Sequence, residues 1–205
     1  MKVLLVDDHV VVREGVHRLL ATMGDTSIFE AASGQEAILL FRRELPDIVI
    51  LDLSVPGVSG LELLRRFLLQ DPKVSVLILS MHAEPIYAAR ALRLGARGYI
   101  SKAAPADQFL NAFQCVAEGR RYVEHEIAVK LAAADFTREE PLQQLTSREV
   151  EILRLLGEGK SLTGIAESLG VAYKTIANSC SQIKEKLMLE RTGDLIRFVV
   201  EMRRF

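Results

Sequence analysis

A chain of 205 residues, 49% apolar and 26% charged, has enough hydrophobic material for one large domain or two modest ones, and too much for a disordered polymer. A formal net charge of −1 excludes a protein that coats nucleic acid by bulk charge, though not one with a small basic surface. No run approaches the roughly 18 uninterrupted apolar residues of a membrane span, and Asp7 with Asp8 breaks the N-terminal apolar run where a secretion signal needs continuity. A cytoplasmic protein with no membrane partner is therefore expected. Cys115 and Cys180 fall within helix-like apolar patterns and read as buried thiols rather than a disulfide. His9, His17, His82 and His125 show no zinc-ligand spacing.

From the start to about residue 120, short apolar runs alternate with helical patterns. The runs are Lys2–Val6, Ser27–Ala32, Asp47–Leu51, Val74–Leu79 and Gly98–Ser101. Ile48-Val49-Ile50-Leu51 and Val76-Leu77-Ile78-Leu79 are apolar at every position, as in strands covered by helices on both faces. Between them, Ser33-x-x-Glu36 and Ser59-x-x-Glu62 fit capping boxes. Pro85 and Pro105 suit first helical turns, and Gly24 and Gly95 suit helix ends. Five strand-then-helix units predict an α/β domain, residues 1–121, with a doubly wound five-stranded parallel sheet in flavodoxin-like order.

Residues 122–144 read as a linker: one short helix over Glu124–Ala134, then the polar, aperiodic stretch Asp135–Gln144 with Pro141. From Leu145 the pattern is helical only. Thr146-x-x-Glu149 is a third capping-box match, and helices are expected over Ser147–Leu156, Leu162–Ser168, Tyr173–Leu187 and Gly193–Arg203. Residues 145–205 thus predict a small all-α domain of four helices.

Asp7 and Asp8 directly follow the first strand and Asp52 the third, so they meet at the carboxyl edge of the sheet, where open α/β folds bind ligands. Carboxylates converging there repel one another unless a cation sits among them, and a hard ion such as Mg²⁺ suits oxygen donors. Ser80 and Lys102 follow the fourth and fifth strands at the same edge, adding a hydroxyl and an ammonium that suit a phosphoryl group. Asp52 is the expected nucleophile.

Asp7-Asp8, Asp52 with Pro56 and Gly60, Ser80, and Tyr99-Ile100-Ser101-Lys102 together resemble the receiver domain of two-component response regulators, over residues 1 to about 120. The resemblance implies that Asp52 accepts a phosphoryl group from a sensor histidine kinase. It implies Mg²⁺ held by Asp7, Asp8, Asp52 and the carbonyl of Ser54, with Lys102 and Ser80 on the phosphoryl oxygens and Tyr99 as the aromatic that moves with Ser80. Val55 and Ala103 depart from the commoner methionine and proline. His82 sits where it would gate water, or stand simply as a solvated loop residue.

Within the expected helix Tyr173–Leu187, Ile176, Cys180, Ile183 and Leu187 form one apolar stripe, with Lys174, Asn178, Ser181, Gln182 and Glu185 opposite. The preceding Ile165-Ala166-x-x-Leu169-Gly170-Val171 gives a short helix and a glycine turn, so the pair reads as a helix-turn-helix. Leu145-Thr146-x-Arg148-Glu149-x-Glu151-x-Leu153, Gly159-x-Ser161, Thr175-Ile176, Ile183-x-x-Lys186-Leu187 and Arg191-x-x-Asp194-Leu195 resemble the LuxR-type DNA-binding domain of the NarL/FixJ family. That resemblance implies a DNA-binding module controlled by the receiver, with a phosphorylation-promoted homodimer.

Ala177 and Ser179 stand where the family usually has a basic residue and a histidine, Ala172 where it has a serine cap, and Gly164 where glutamate is common. Lys174, Lys184 and Lys186, with Thr175, remain as phosphate contacts, Ser181 lies on the same face, and Asn178 and Gln182 suit the edge of adenine. The expected function is a phosphorylation-controlled transcription factor and not an enzyme. The competing reading is a receiver-controlled protein-interaction module. An aspartyl-phosphate phosphatase would need a carboxylate where Ser54 stands.

Overall fold

The computed structural model describes residues 1–81, 85–133, 145–187, 189, 193, 195, 196, 198 and 199. His82, the stretch 135–144, Arg191, Asp194 and residues 200–203 of the expected last helix lie outside them. The chain divides into two compact units, Met1–Leu131 and Ala132–Phe205.

The first unit alternates strand and helix: β1 (Lys2–Val6), α1 (Val10–Ala21), β2 (Ser27–Ala31), α2 (Gly34–Glu44), β3 (Ile48–Leu51), α3 (Gly60–Gln70), β4 (Ser75–Ser80), α4 (Pro85–Leu94), β5 (Gly98–Ser101) and α5 (Ala106–Ala117). These strands run parallel in the order β2-β1-β3-β4-β5, the flavodoxin-like winding expected. One correction enlarges the sheet: it has six strands, not five. β6 (Tyr122–Val123) pairs with β5 through Gly98↔Tyr122 and Tyr99↔Val123, and α6 (His125–Ala133) follows it. Two residues carry no periodicity, so this strand is set by tertiary pairing, with the Glu124 N–H donating to the Tyr99 carbonyl at 3.1 Å.

β3 and β4 are buried at every position, which is why their sequences are apolar without alternation. On one face Val3, Leu5, Ile48, Ile50, Leu77 and Leu79 pack with Val16 and Leu20 of α1 and Phe109 and Phe113 of α5. The alternate residues Leu4, Val49 and Leu51 are equally buried. Phe41 of α2 stacks on Phe67 of α3 at a 4.4 Å centroid distance.

Helix starts follow the sequence unevenly. Ser33 caps α2 by accepting from the Glu36 N–H at 3.3 Å, while the Glu36 carboxylate reaches the N–H of Ala32, one residue short of a full box. Ser59 makes no side-chain cap; the first N–H of α3, that of Gly60, donates to the Leu53 carbonyl at 3.3 Å. That approach needs Gly60, because a Cβ there would lie 2.4 Å from the Cα of Leu53. The start of α3 is thereby drawn against the loop that carries Asp52.

The second unit contains α7 (Ser147–Gly157), α8 (Leu162–Ser168) and α9 (Tyr173–Lys186). Gly193, Leu195, Ile196, Phe198 and Val199 are helical too. The capping box at α7 is complete: Thr146 accepts from Glu149, and Glu149 accepts from the Thr146 N–H. Ser161 caps α8 through the N–H of Gly164 at 3.1 Å. Ile176, Cys180, Ile183 and Leu187 are buried as one stripe, and burial pushes the Cys180 thiol above its ordinary range. Among the described residues no helix is long and apolar enough to cross a membrane.

Candidate phosphoacceptor and nucleic-acid sites

The sheet register brings residues remote in sequence to one point. Val6 pairs with Leu51, so Asp7 and Asp52 leave adjacent strands side by side, and the Asp52 N–H donates to the Val6 carbonyl at 2.9 Å. Ser80 pairs with Ser101, and the Lys102 N–H donates to the Ser80 carbonyl at 2.9 Å. The Lys102 ammonium then spans two carboxylates, 2.7 Å from an oxygen of Asp7 and 2.7 Å from one of Asp52. Asp7 is 1% exposed, Asp52 2%, and the Lys102 side chain 4%, so the ammonium offsets one of two buried carboxylate charges and leaves the other uncompensated.

Burial pushes the Asp52 carboxyl above its ordinary range; Lys102 opposes that rise and the Asp7 carboxylate adds to it. Burial draws the Lys102 ammonium down, but its bonds and attraction to Asp52 and Asp7 outweigh this and hold it above the usual lysine range. The other Asp52 oxygen accepts from the Ser54 N–H at 3.1 Å. Ser80 and Tyr99 are completely buried. Asp8 stands exposed beside the pair.

Two residues at this edge are not apparent from the sequence. The Arg13 guanidinium donates to the Asp7 carbonyl at 2.8 Å and to Glu30 at 2.9 Å. His9 places its Nδ1 2.8 Å from Asp8 and 3.2 Å from Asp7. Asp7, Asp8, His9 and Asp52 each present a ligand atom within 4.8 Å of the others. The position of Arg13 on the first turns of α1, one helical turn past His9, was the available signal.

On α9, Lys174, Thr175, Asn178, Ser181 and Gln182 are exposed on the side away from the apolar stripe. Lys184 is half-buried at the margin. The Ser181 hydroxyl donates back to the Ala177 carbonyl at 3.2 Å. Lys186 is engaged elsewhere: its ammonium lies 2.7 and 2.8 Å from the two oxygens of Glu149. The same glutamate therefore caps α7 and fastens the end of α9. Arg148 donates to the Leu169 carbonyl at 3.0 Å, which ties α7 to the end of α8.

A flavodoxin-like unit with an acid-and-lysine carboxyl edge, followed by a helix-turn-helix unit, defines a two-component response regulator as a class. The family model for the response regulator receiver domain matches residues 3–114, and that for bacterial regulatory proteins of the luxR family matches residues 143–199. The methanol utilization control regulatory protein MoxX of Paracoccus denitrificans is 36% identical over 199 residues, covering 96% of this chain and 89% of that protein. The transcriptional activator protein ExaE of Pseudomonas putida is 36% identical over 206 residues, covering 98% of this chain and 96% of its own. RcsB of Salmonella enterica serovar Typhimurium, solved bound to promoter rprA in the presence of phosphomimetic BeF3-, matches with a TM-score of 0.70 at 25% identity, over 97% of this chain and 98% of that one. The chain belongs to the two-component response regulators of the NarL/FixJ family, in which a receiver is joined to a LuxR-type helix-turn-helix. Its function is transcriptional regulation and not enzymatic turnover.

Proposed function

We propose that Asp52 is the phosphoacceptor and that its phosphorylation by a sensor histidine kinase controls DNA binding by α9. The observation that carries this reading is the Lys102 bridge between buried Asp52 and Asp7. An Asp52 carboxylate oxygen attacks the phosphorus of a phosphohistidine, the P–O bond forms as the P–N bond breaks, and the departing imidazole nitrogen takes up a proton. Lys102 follows the new charge onto the phosphoryl oxygens, and the Ser80 hydroxyl donates to another of them. Exchange of partners by Lys102 and Ser80 biases the receiver between two packings, with buried Tyr99 on the neighbouring strand as the aromatic that follows Ser80.

The donor set suits Mg²⁺. Asp7, Asp8 and Asp52 offer hard carboxylate oxygens within 4.8 Å of one another, and the Ser54 carbonyl is the remaining protein donor. When bound, the ion offsets repulsion between these carboxylates and the incoming phosphoryl group. Lys174, Thr175 and Lys184 would contact DNA phosphates, with Asn178 and Gln182 reading base edges and Ser181 beside them. RcsB, solved bound to a promoter in the presence of a phosphoryl mimic, supports coupling the two sites. Phosphorylation would favour a homodimer spanning two half-sites in the cytoplasm.

The test is Asp52→Asn with a small-molecule phosphodonor. The native protein should form an acid-stable, alkali-labile phosphoprotein and gain dimer fraction and promoter affinity together, and the variant should do neither. Promoter affinity that ignores phosphorylation would sink the control half of this reading. The few cations on the exposed face of α9 favour a second reading, a protein-interaction module with weak or no sequence-specific DNA binding, which the lack of salt-dependent promoter binding would support.

A further inference from the structure

We propose that His9 is a further ligand of the divalent cation at the acidic edge, and that it shifts the site's preference from Mg²⁺ toward first-row transition metals. The inference rests on the reading of that edge as a cation site. His9 is the N-cap residue of α1, and its backbone N–H donates to Asp7 at 2.9 Å, which turns the chain so that the ring lies over both aspartates. Its Nδ1 stands 2.8 Å from Asp8 Oδ1 and 3.2 Å from Asp7 Oδ1, so one ring nitrogen faces two carboxylate oxygens.

Nδ1 stands at hydrogen-bond distance from both carboxylates, a spacing that a coordination shell shares. Ligands at about 2.1 Å from an octahedral ion and at right angles to each other lie about 3.0 Å apart, between the two distances found. The Asp52 carboxylate completes the group, all within 4.8 Å. Coordination through Nδ1 uses the tautomer whose N–H is on Nε2. The side chain is 61% exposed, so the ring can turn and the ion can exchange without opening the core.

Oxygen donors alone suit Mg²⁺, which dehydrates reluctantly. An imidazole nitrogen adds little for Mg²⁺ but favours the later divalent ions, whose affinity for nitrogen rises from Mn²⁺ through Co²⁺ and Ni²⁺. Arg13, on the same helix, is committed to the Asp7 carbonyl and Glu30 and leaves this face to His9.

The experiment is calorimetric titration of the full-length, tag-free protein with Mg²⁺ and, separately, with Co²⁺, comparing native, His9→Gln and Asp52→Asn forms. His9→Gln should weaken Co²⁺ binding about tenfold or more and leave Mg²⁺ affinity nearly unchanged. Proton NMR of the native Co²⁺ form should show a strongly shifted, exchangeable imidazole N–H that His9→Gln removes. Equal effects on both ions, no effect on either, or no shifted imidazole signal would overturn the role of His9. Metal binding indifferent to Asp52→Asn would instead overturn the cation-site reading beneath it.

Discussion

On the reading proposed above, the receiver edge and α9 both present charge to a phosphate-bearing partner, and they do so in opposite ways. At the receiver edge, Asp7, Asp52 and Lys102 follow three different strands and are buried, and the two carboxylates share one ammonium at 2.7 Å from each. On α9, Lys174, Asn178 and Gln182 come from one helix and stand in water. A buried charge stripped of its partner is costly, so few substitutions survive there. An exposed lysine costs little stability to gain or lose, so the face of α9 tolerates change that the buried edge does not.

The largest expected effect follows from removing the balance. Lys102→Ala leaves two carboxylates facing each other in the dry edge and should cost about 3 kcal/mol of stability. Urea unfolding at neutral pH would measure it. Added Mg²⁺ should recover more stability in the variant than in the native protein. A loss below about 1 kcal/mol would mean the edge is already hydrated enough to tolerate like charges.

This contrast also explains what was legible in the sequence. Four strand ends that between them carry five unusual residues leave little freedom, so the alternation of strands and helices was enough to place Asp7, Asp8, Asp52, Ser80 and Lys102 at one edge. β6 was invisible because Tyr122 and Val123 are too few to show a period. His9 and Arg13 were missed because their roles depend on how the start of α1 turns over Asp7, which no spacing rule encodes. Ser59 stands at the N-cap position but makes no side-chain cap bond, and the Leu53 carbonyl serves only the Gly60 N–H. On α9 the buried stripe was readable from spacing alone. That Lys186 turns to Glu149 was not, because the two are 37 residues apart and meet only after the helices pack.

Two kinds of residue on the exposed face of α9 should separate in their effects on DNA binding. Asn178→Ala should cost about 1–3 kcal/mol on the preferred promoter sequence and much less on unrelated DNA. Lys174→Ala should weaken both alike and lower the slope of log affinity against log salt by about 0.9. Titrations of labelled duplexes at several salt concentrations would distinguish these outcomes. Equal losses on every sequence for both variants would mean the face holds DNA without reading it.

The smallest effect tests whether Lys186 belongs to the scaffold or to the reading face. Burial raises the Glu149 carboxyl, but Lys186 and the Thr146 cap outweigh burial and hold it below its ordinary range. A carboxyl depressed on folding contributes fully above the unfolded glutamate range of about 4.3, and its contribution is lost as pH falls through the folded value. Glu149→Gln keeps the cap but removes the charge, and should lower stability at pH 7 by about 0.5–1 kcal/mol. The deficit relative to the native protein should close as the pH drops below that range. Lys186→Ala should cost a similar amount, and the double variant little more than either, because both remove one interaction. If Lys186→Ala instead leaves stability unchanged and flattens the salt dependence of DNA binding, this lysine reaches the phosphates, and the face of α9 is less poor in cations than its fold implies.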